Sequence, residues 1–531
     1  MGSKHKVMKP QLFFLVATII IIAGFFVRIF WIEKSPPSLN WDEVSLGYNA
    51  YSILKTGKDE FGTSWPLVLR SFDDYKPALY SYLTIPFVKF YGLNEFSTRI
   101  VSVLSGTAII IAAMLLAYYF FRRKLISLIV GFLVAFSPWA IHFSRAAFEA
   151  NLGLALFLLG LSFMFFGLKN RLLLPIGVFL AGLSMHSYIA YKLITPFMLT
   201  AFIYISRKEL LKIKTHVISV AFALALVVIP LLILHITNSS AASRLETTTL
   251  FTANKSPDVL IQQFIAHYLS YFSPANLFVR GSPEPTQQIP GFGILYPIEI
   301  VFFFLGIWYL FNHLKDCRNF IIILLILPIP AAMTWNWFYP ARVLPLFVFF
   351  NIISAVGAAE IIRWTMKQNV LVKIILPTTV FVLLTTEILS LFTTLLFYLP
   401  YKEGGNWQSG MKEILTEITK YQNDYSHIVI ETRTAQPHIF TLFYTQYDPN
   451  LYHKNIADMG GIPIPRKNFN FGKFEFRDVY WPTDQYDRDV LLISPESSLP
   501  IEKVSQNANL KTLVIVKDKW GNTLAHIAGI K

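Results

Sequence analysis

The chain has 531 residues, of which 54% are hydrophobic and only 15% charged, with a formal net charge of +14. Its apolar residues gather in runs of about twenty, the length at which a helix crosses a bilayer, so composition excludes a soluble protein and points to a polytopic membrane protein. The single cysteine, Cys317, excludes an intramolecular disulfide, and the surplus Lys and Arg sit in short clusters between apolar runs, which is a topology signal rather than a nucleic-acid footprint.

A basic start precedes the first apolar run at about 12–31, which is too long for a signal-peptide core and is followed by no small-residue cleavage site. It reads as an uncleaved span. Further spans are expected at roughly 97–120, 125–141, 150–168, 172–188, 190–206, 216–237, 296–312, 319–335, 342–363 and 371–398. With the N-terminus cytoplasmic, the basic turns at 121–124, 169–171, 207–214, 312–318 and 363–367 all fall inside, as the positive-inside rule requires. The alternate connections then face outward: a first loop at 33–96, turns near 145–151 and 185–192, a long loop at 238–295, the WNWFYPAR turn at 335–342, and everything after Pro400. In the tail, 401–531, short β-branched runs (427–432, 490–494, 512–516) alternate with helix-like stretches such as 409–422. The expected fold is thus an α-helical polytopic membrane protein of about eleven transmembrane helices, with surface helices in the first outer loop and a small extracytoplasmic α/β domain at the C-terminus. That domain contains no glycine-rich phosphate loop, no CxxC pair and no nucleophile elbow, so a supporting role is expected of it.

The first outer loop concentrates the chemistry, with Asp42, Glu43, Asp73, Asp74 and Lys76 set among tyrosines and tryptophans. After Pro36 and Pro37, NWDEVSLGYNAYSIL predicts a short helix on the membrane surface, with Val44, Tyr48, Tyr51 and Leu54 on one face. Asp42 and Glu43 occupy its first turn, where the helix dipole favours carboxylates able to accept a proton; the same residues are equally good capping chemistry. Lys76 precedes Pro77 at the expected start of a second surface helix, where a cation and free N–H groups meet an anion, or where an interfacial lysine reaches for water. In AIHFSRAAFEANLG, His142, Arg145, Ala146 and Glu149 follow at i, i+3, i+4 and i+7, one face of one helix. Arg145 and Glu149 there form either an intrahelical ion pair or part of a polar cavity, since ionisable groups cost ~2.5–3.5 kcal/mol at the bilayer midplane. Arg342, beside Tyr339 and other aromatics, is an anion-binding candidate or an interfacial anchor.

Taken together, WDEVSLGYNAYSIL, DDYKPALYSYLTIPFVKFYGLNEFSTRIVSVLSG, HFSRAAFEANLG, YLSYFSPANLFVRGSPEP, GFGILYP and YPARVLPL resemble the successive signatures of the GT-C membrane glycosyltransferases, most closely the bacterial protein-mannosyltransferase and aminoarabinose-transferase-like branch. The resemblance covers about residues 10–400, the expected transmembrane catalytic domain. It implies inverting transfer of one sugar from a polyprenyl-phosphate donor to a hydroxyl of an extracytoplasmic protein, lipid or glycan acceptor. By the same resemblance Asp42 matches the proposed catalytic acidic residue, which acts as the base, Glu43 its partner and Glu149 the second-loop acidic residue. Lys76, Arg145 and Arg342 are the candidate donor-phosphate ligands, and Tyr48, Tyr75, His142 and Tyr339 the candidate substrate-lining residues. Pro77-Ala78 stands where many members carry two prolines. There is no plain histidine–carboxylate metal pair, so no cofactor is required and a divalent metal is optional. The physical logic is consistent: the displacement needs a base at the acceptor hydroxyl and cations at the leaving phosphate. The tail is then expected to dock the acceptor or form a lid. The competing expectation, a polyprenyl-lipid flippase or transporter, lacks the internal repeats and midplane charges typical of that class. The partners expected are therefore the lipid donor, the acceptor and the bilayer, and not nucleic acid.

Overall fold

The computed structural model describes residues 8–72, 74–170, 172–212, 217–237, 248–252, 255–432, 436–458, 469–518 and 520–530. Asp73 of the first loop, Arg171 and Lys214 of the basic turns, and 238–247 of the long outer loop lie outside them. The chain divides into two compact units, Met1–Phe30 with Val101–Leu395, and Trp31–Ile100 with Leu396–Lys531.

The first unit is helical. It contains α1 (Pro10–Ile29), most of α4 (Glu95–Phe121), α5 (Lys124–Phe136), α6 (Pro138–Arg145), α7 (Glu149–Gly167), α8 (Leu173–Leu183), α9 (Tyr191–Leu210), α10 (Val217–Thr237) and, further on, helices Glu299–Asn312, Leu314–Ile326, Leu344–Thr365 and Val370–Thr393. Among the described residues six helices are long and apolar enough to cross a membrane, or seven if α5 and α6 count as one span bent by 54°. Against the eleven spans expected, the remaining stretches form shorter or less apolar helices; α8, with 11 residues, is only about 16 Å long. The bend has a local cause: Pro138 follows Ser137, and the residue before a proline is pushed out of the helical region, here to ψ 137. Leu344–Thr365 is the axis of the unit. Leu346, Phe347, Val348, Phe349, Phe350 and Ile352 are buried around its whole circumference, as an all-round apolar helix must be. Where α7 and α8 meet, a Cβ on Gly160 would lie 2.4 Å from the Ala181 backbone nitrogen, so only glycine permits that approach.

The second unit joins α2 (Trp41–Thr56), α3 (Leu79–Tyr91) and the hairpin β1 (Val68–Ser71) and β2 (Asp74–Pro77) to the tail. The tail folds as a six-stranded sheet in the order β4-β5-β3-β6-β8-β7, from β3 (His427–Ile430), β4 (Phe469–Phe471), β5 (Phe474–Phe476), β6 (Val490–Ser494), β7 (Leu510–Lys517) and β8 (Thr523–Ile530). β3 runs parallel to β5 and β6, and the other pairs are antiparallel. Division at 400/401 is therefore replaced by a unit that draws the first loop and the tail together. The reason is visible in α2. Its apolar face does not lie on a membrane surface: Val44, Tyr48 and Ala50 share one core with Ile439, Phe440 and Phe443 of the Pro437–Tyr444 helix. Gly47 allows the contact, since a Cβ there would come within 2.7 Å of the Phe443 ring.

Candidate functional site

The start of α2 separates its two acidic residues. Asn40 caps the helix, accepting from the Glu43 amide at 2.9 Å, while Glu43 Oε2 accepts from the Asn40 amide at 3.1 Å, a reciprocal capping box. The Glu43 carboxylate also takes the fork of Arg99, Nε on Oε1 at 2.8 Å and Nη2 on Oε2 at 3.0 Å. Arg99 Nη1 donates to the carbonyls of Ile32 and Pro36, so one fully buried guanidinium holds the entry to α2 against the chain that precedes it. Glu43, 1% exposed, is thereby committed to structure. Asp42, one residue earlier, turns outward; its side chain is 47% exposed and pairs with the Lys76 ammonium.

Lys76 reaches Asp42 from β2 rather than from a helix start. Ser71 pairs with Asp74 and Leu69 with Lys76, and the intervening Phe72 adopts a left-handed φ of 57°. The helix begins only at Leu79. Hence the acidic and basic ends expected at opposite sides of the loop meet in one pair. The Lys76 ammonium lies 5.9 Å from the Phe72 ring centroid, and Phe72 is flanked edge-on by Trp41 and by His438 of the tail. Tyr75 stays partly exposed beside the pair. Tyr48, expected to line a substrate surface, is instead fully buried and donates its hydroxyl to the Tyr447 carbonyl at 3.0 Å. Burial holds that phenol well above its usual value.

Sequence reasoning missed Arg99 and Glu60. Arg99 stands at the start of an apolar run, where an arginine reads as a charge flanking a span. Glu60 is 2% exposed and accepts from Asn49 Nδ2 at 2.9 Å, while its own amide donates to Asn49 Oδ1 at 2.9 Å. Burial, reinforced by Asp59, pushes its carboxyl up to about 8 against the pull of Asn49, Lys76 and Arg70.

The remaining expected residues belong to the helical unit. The single helix face predicted for His142, Arg145, Ala146 and Glu149 does not form, because Ala146 is extended (φ −112°, ψ 159°) and ends α6. Glu149 opens α7 instead, partly buried in its first turn. Arg145, 1% exposed, donates Nη1 to the Val27 carbonyl at 2.8 Å, and His142 Nε2 lies 2.8 Å from the Thr286 carbonyl. Beside them Arg28, fully buried, donates to the carbonyls of Gly24, Val134 and Ala135 and to Ser144 Oγ. Two buried arginines thus satisfy the backbone freed at the α5–α6 bend and at the end of α1. Arg342 differs from both. Its guanidinium stacks 4.7 Å from the Tyr339 ring, and its buried Nη1 has no hydrogen-bond partner among the described residues. It borders a cavity of about 340 Å³ walled by Ile189, Leu193, Met333 and Thr334.

Among the described residues no three His, Cys, Asp or Glu side chains come together as a set able to hold a metal ion. Asp42 has a lysine, not a second carboxylate, as its neighbour.

No protein-family profile matches the chain, and no curated protein does. Its fold is similar to that of ArnT from Cupriavidus metallidurans bound to undecaprenyl phosphate, with a TM-score of 0.54 at 13% identity, covering 98% of this chain and 97% of that one. The apo state of the same protein gives a TM-score of 0.53 over the same shares, again at 13% identity. At that identity the likeness is one of fold alone.

Proposed function

We propose that the protein is an inverting glycosyltransferase that moves one sugar from a polyprenyl-phosphate donor to a hydroxyl of an acceptor on the extracytoplasmic side of the membrane. The observation that carries this reading is the Asp42–Lys76 pair, a half-exposed carboxylate fixed at a helix start by a lysine whose side chain is only 8% exposed. The similarity in fold to ArnT, whose structure holds undecaprenyl phosphate, supports the choice of donor.

In the proposed reaction the acceptor oxygen attacks the anomeric carbon from the face opposite the phosphate. The bond from that carbon to the phosphate oxygen breaks, polyprenyl phosphate departs with the bonding pair, and the hydroxyl proton passes to Asp42. Lys76 orients Asp42 and, as negative charge develops on the leaving group, offers its ammonium to the phosphate. Arg342, with a donor nitrogen free to bind, is the second proposed phosphate ligand, and Glu149 the second acidic residue at the reacting groups. Glu43 and Arg145 are positioning residues in this reading, because their charged atoms are engaged by Arg99 and by backbone carbonyls. The step as proposed requires no metal, and a divalent metal is optional to it. The basic turns set on the cytoplasmic side by the positive-inside rule support the outward orientation.

Asp42→Asn keeps the shape of the side chain and removes its basicity. In vesicles supplied with a radiolabelled polyprenyl-phosphate sugar and a cell-envelope extract, it is expected to lower transfer by ~10²–10⁴-fold while the protein still inserts and folds. Near-normal transfer by the variant would overturn the assignment. Movement of the lipid across the vesicle without any transfer by the unaltered protein would replace it with a flippase.

A further inference from the structure

The Val370–Thr393 helix carries Lys373, Leu376, Pro377, Val380, Phe381 and Leu384 at i, i+3, i+4, i+7, i+8 and i+11, a single face. That face looks into a groove of about 590 Å³ within the helical unit. The opposite walls are faces of α5, through Leu125 and Phe132, and of Leu344–Thr365 with the residue after it, through Ile362 and Met366. The helix is joined to Leu344–Thr365 by the turn at 366–369 and, beyond the groove, to the rest of the bundle. There Glu387 Oε1 accepts from the Ile298 amide at 3.1 Å, and Leu391 and Leu395 are buried. Towards its start it stands away from its neighbours, and the gap is the groove.

Lys373 is the one charged residue on the groove wall, and its place along the unit is fixed by its neighbours. Met8, just before α1, accepts from the Lys124 ammonium at 3.1 Å, and Arg123 and Arg363 both pair with Glu360, at 2.7 and 3.0 Å. Lys373 has no acidic partner among the described residues, so this end of the unit carries uncompensated positive charge. Arg342 sits at the other end: it precedes Leu344–Thr365, a helix of 22 residues and about 33 Å, whose last turn borders the groove. The near wall of the groove, at Ala358, thus lies about 21 Å along that helix from its start beside the proposed phosphate ligand Arg342. Apolar voids of about 150 Å³ already stay dry and take up hydrocarbon in preference to water, and this one is roughly four times larger. At membrane depth the hydrocarbon at hand is an acyl chain.

We propose that the groove holds an acyl chain of an anionic membrane phospholipid whose phosphate pairs with Lys373. The lipid fills the gap that the helix leaves beside α5 and Leu344–Thr365.

The test uses the full chain in nanodiscs made from equal amounts of phosphatidylglycerol and phosphatidylcholine with identical acyl chains, followed by mass spectrometry of the lipid retained on release. The unaltered protein is expected to keep about one phosphatidylglycerol per chain. Lys373→Gln is expected to lower the ratio of phosphatidylglycerol to phosphatidylcholine about fivefold, the effect of one basic side chain near a lipid headgroup. Ala358→Phe, which places a ring in the groove wall, is expected to release both lipids. Equal retention of the two lipids by the unaltered protein and by Lys373→Gln, no retention at all by the unaltered protein, or undiminished retention by Ala358→Phe would each overturn the proposal.

Discussion

Glu60 is buried against Asn49, and its carboxyl is pushed from 4.5 up to about 8 by burial and by Asp59. The folded protein therefore keeps a proton on Glu60 through a pH range in which the unfolded chain has lost it. Between pH 4.5 and 8 the native state binds one proton more than the unfolded state, so stability falls as pH rises, by ~1.36 kcal/mol per unit. Over the 3.5 units between the two values the loss is about 5 kcal/mol, and above pH 8 it is complete. That figure is a ceiling, because local opening around residue 60 lets water reach the ionised carboxylate at lower cost than global unfolding. Glu60→Gln is neutral at every pH and keeps an oxygen to accept from Asn49 Nδ2. Thermal unfolding of both proteins in one detergent, from pH 5 to pH 9.5, is the assay. The two melting temperatures are expected to lie close together at pH 5 and to diverge steadily above it, with the variant more stable by several degrees at pH 9. Two curves separated by a constant offset would refute the reasoning, because a simple packing change moves stability equally at all pH values.

Arg99→Met leaves the Glu43 carboxylate buried without its fork, and is expected to destabilise the unit that contains it by ~3–5 kcal/mol, read as a lower melting temperature and faster proteolysis of 31–100. Adding Glu43→Gln to that variant is expected to recover part of the loss; additive losses would show that the two residues do not act as a pair. Arg342→Ala is expected to raise the KM for the polyprenyl-phosphate donor more than tenfold with a smaller change for the acceptor, and unchanged donor kinetics would remove Arg342 from the phosphate site.

What the sequence made legible follows from the range of the interactions involved. The apolar runs that became α1, α4, α7 and α10 are contiguous, so their positions could be read within a few residues. The bend between α5 and α6 was also encoded locally, in Ser137-Pro138, although a continuous span at 125–141 passed over it. The break at Ala146 has no such marker. Beside it Arg145, the last residue of α6, donates to the Val27 carbonyl, 118 residues away. At the candidate site the first turn of α2 was readable from Asn40, Asp42 and Glu43, because capping is local. Which of the two acids stays exposed was not, since that depends on Arg99, 56 residues from Glu43, and on Lys76, 34 residues from Asp42. Tyr48 fits a helix face in either environment, and the Pro437–Tyr444 helix with Tyr447 and Tyr452 decides that the face is covered by protein rather than by membrane.

The unequal exposure of the central pair bears on how the proposed reaction proceeds. Lys76 is enclosed and Asp42 is half open, so an anion arriving from solvent or membrane meets the carboxylate first and can reach the ammonium only beside it. A buried ammonium requires a counter-charge, and Asp42 supplies it in the resting state. When the leaving phosphate gains negative charge in the transition state, Lys76 acquires a second anion, and the hold on Asp42 relaxes as the acceptor hydroxyl gives up its proton. Departure of the phosphate and proton transfer to Asp42 then support one another through a single lysine, and the stabilisation is greatest where charge is developing rather than in the resting pair. The Phe72 ring that closes over Lys76, wedged between Trp41 and His438, keeps the ammonium from escaping to water and so preserves that exchange of partners.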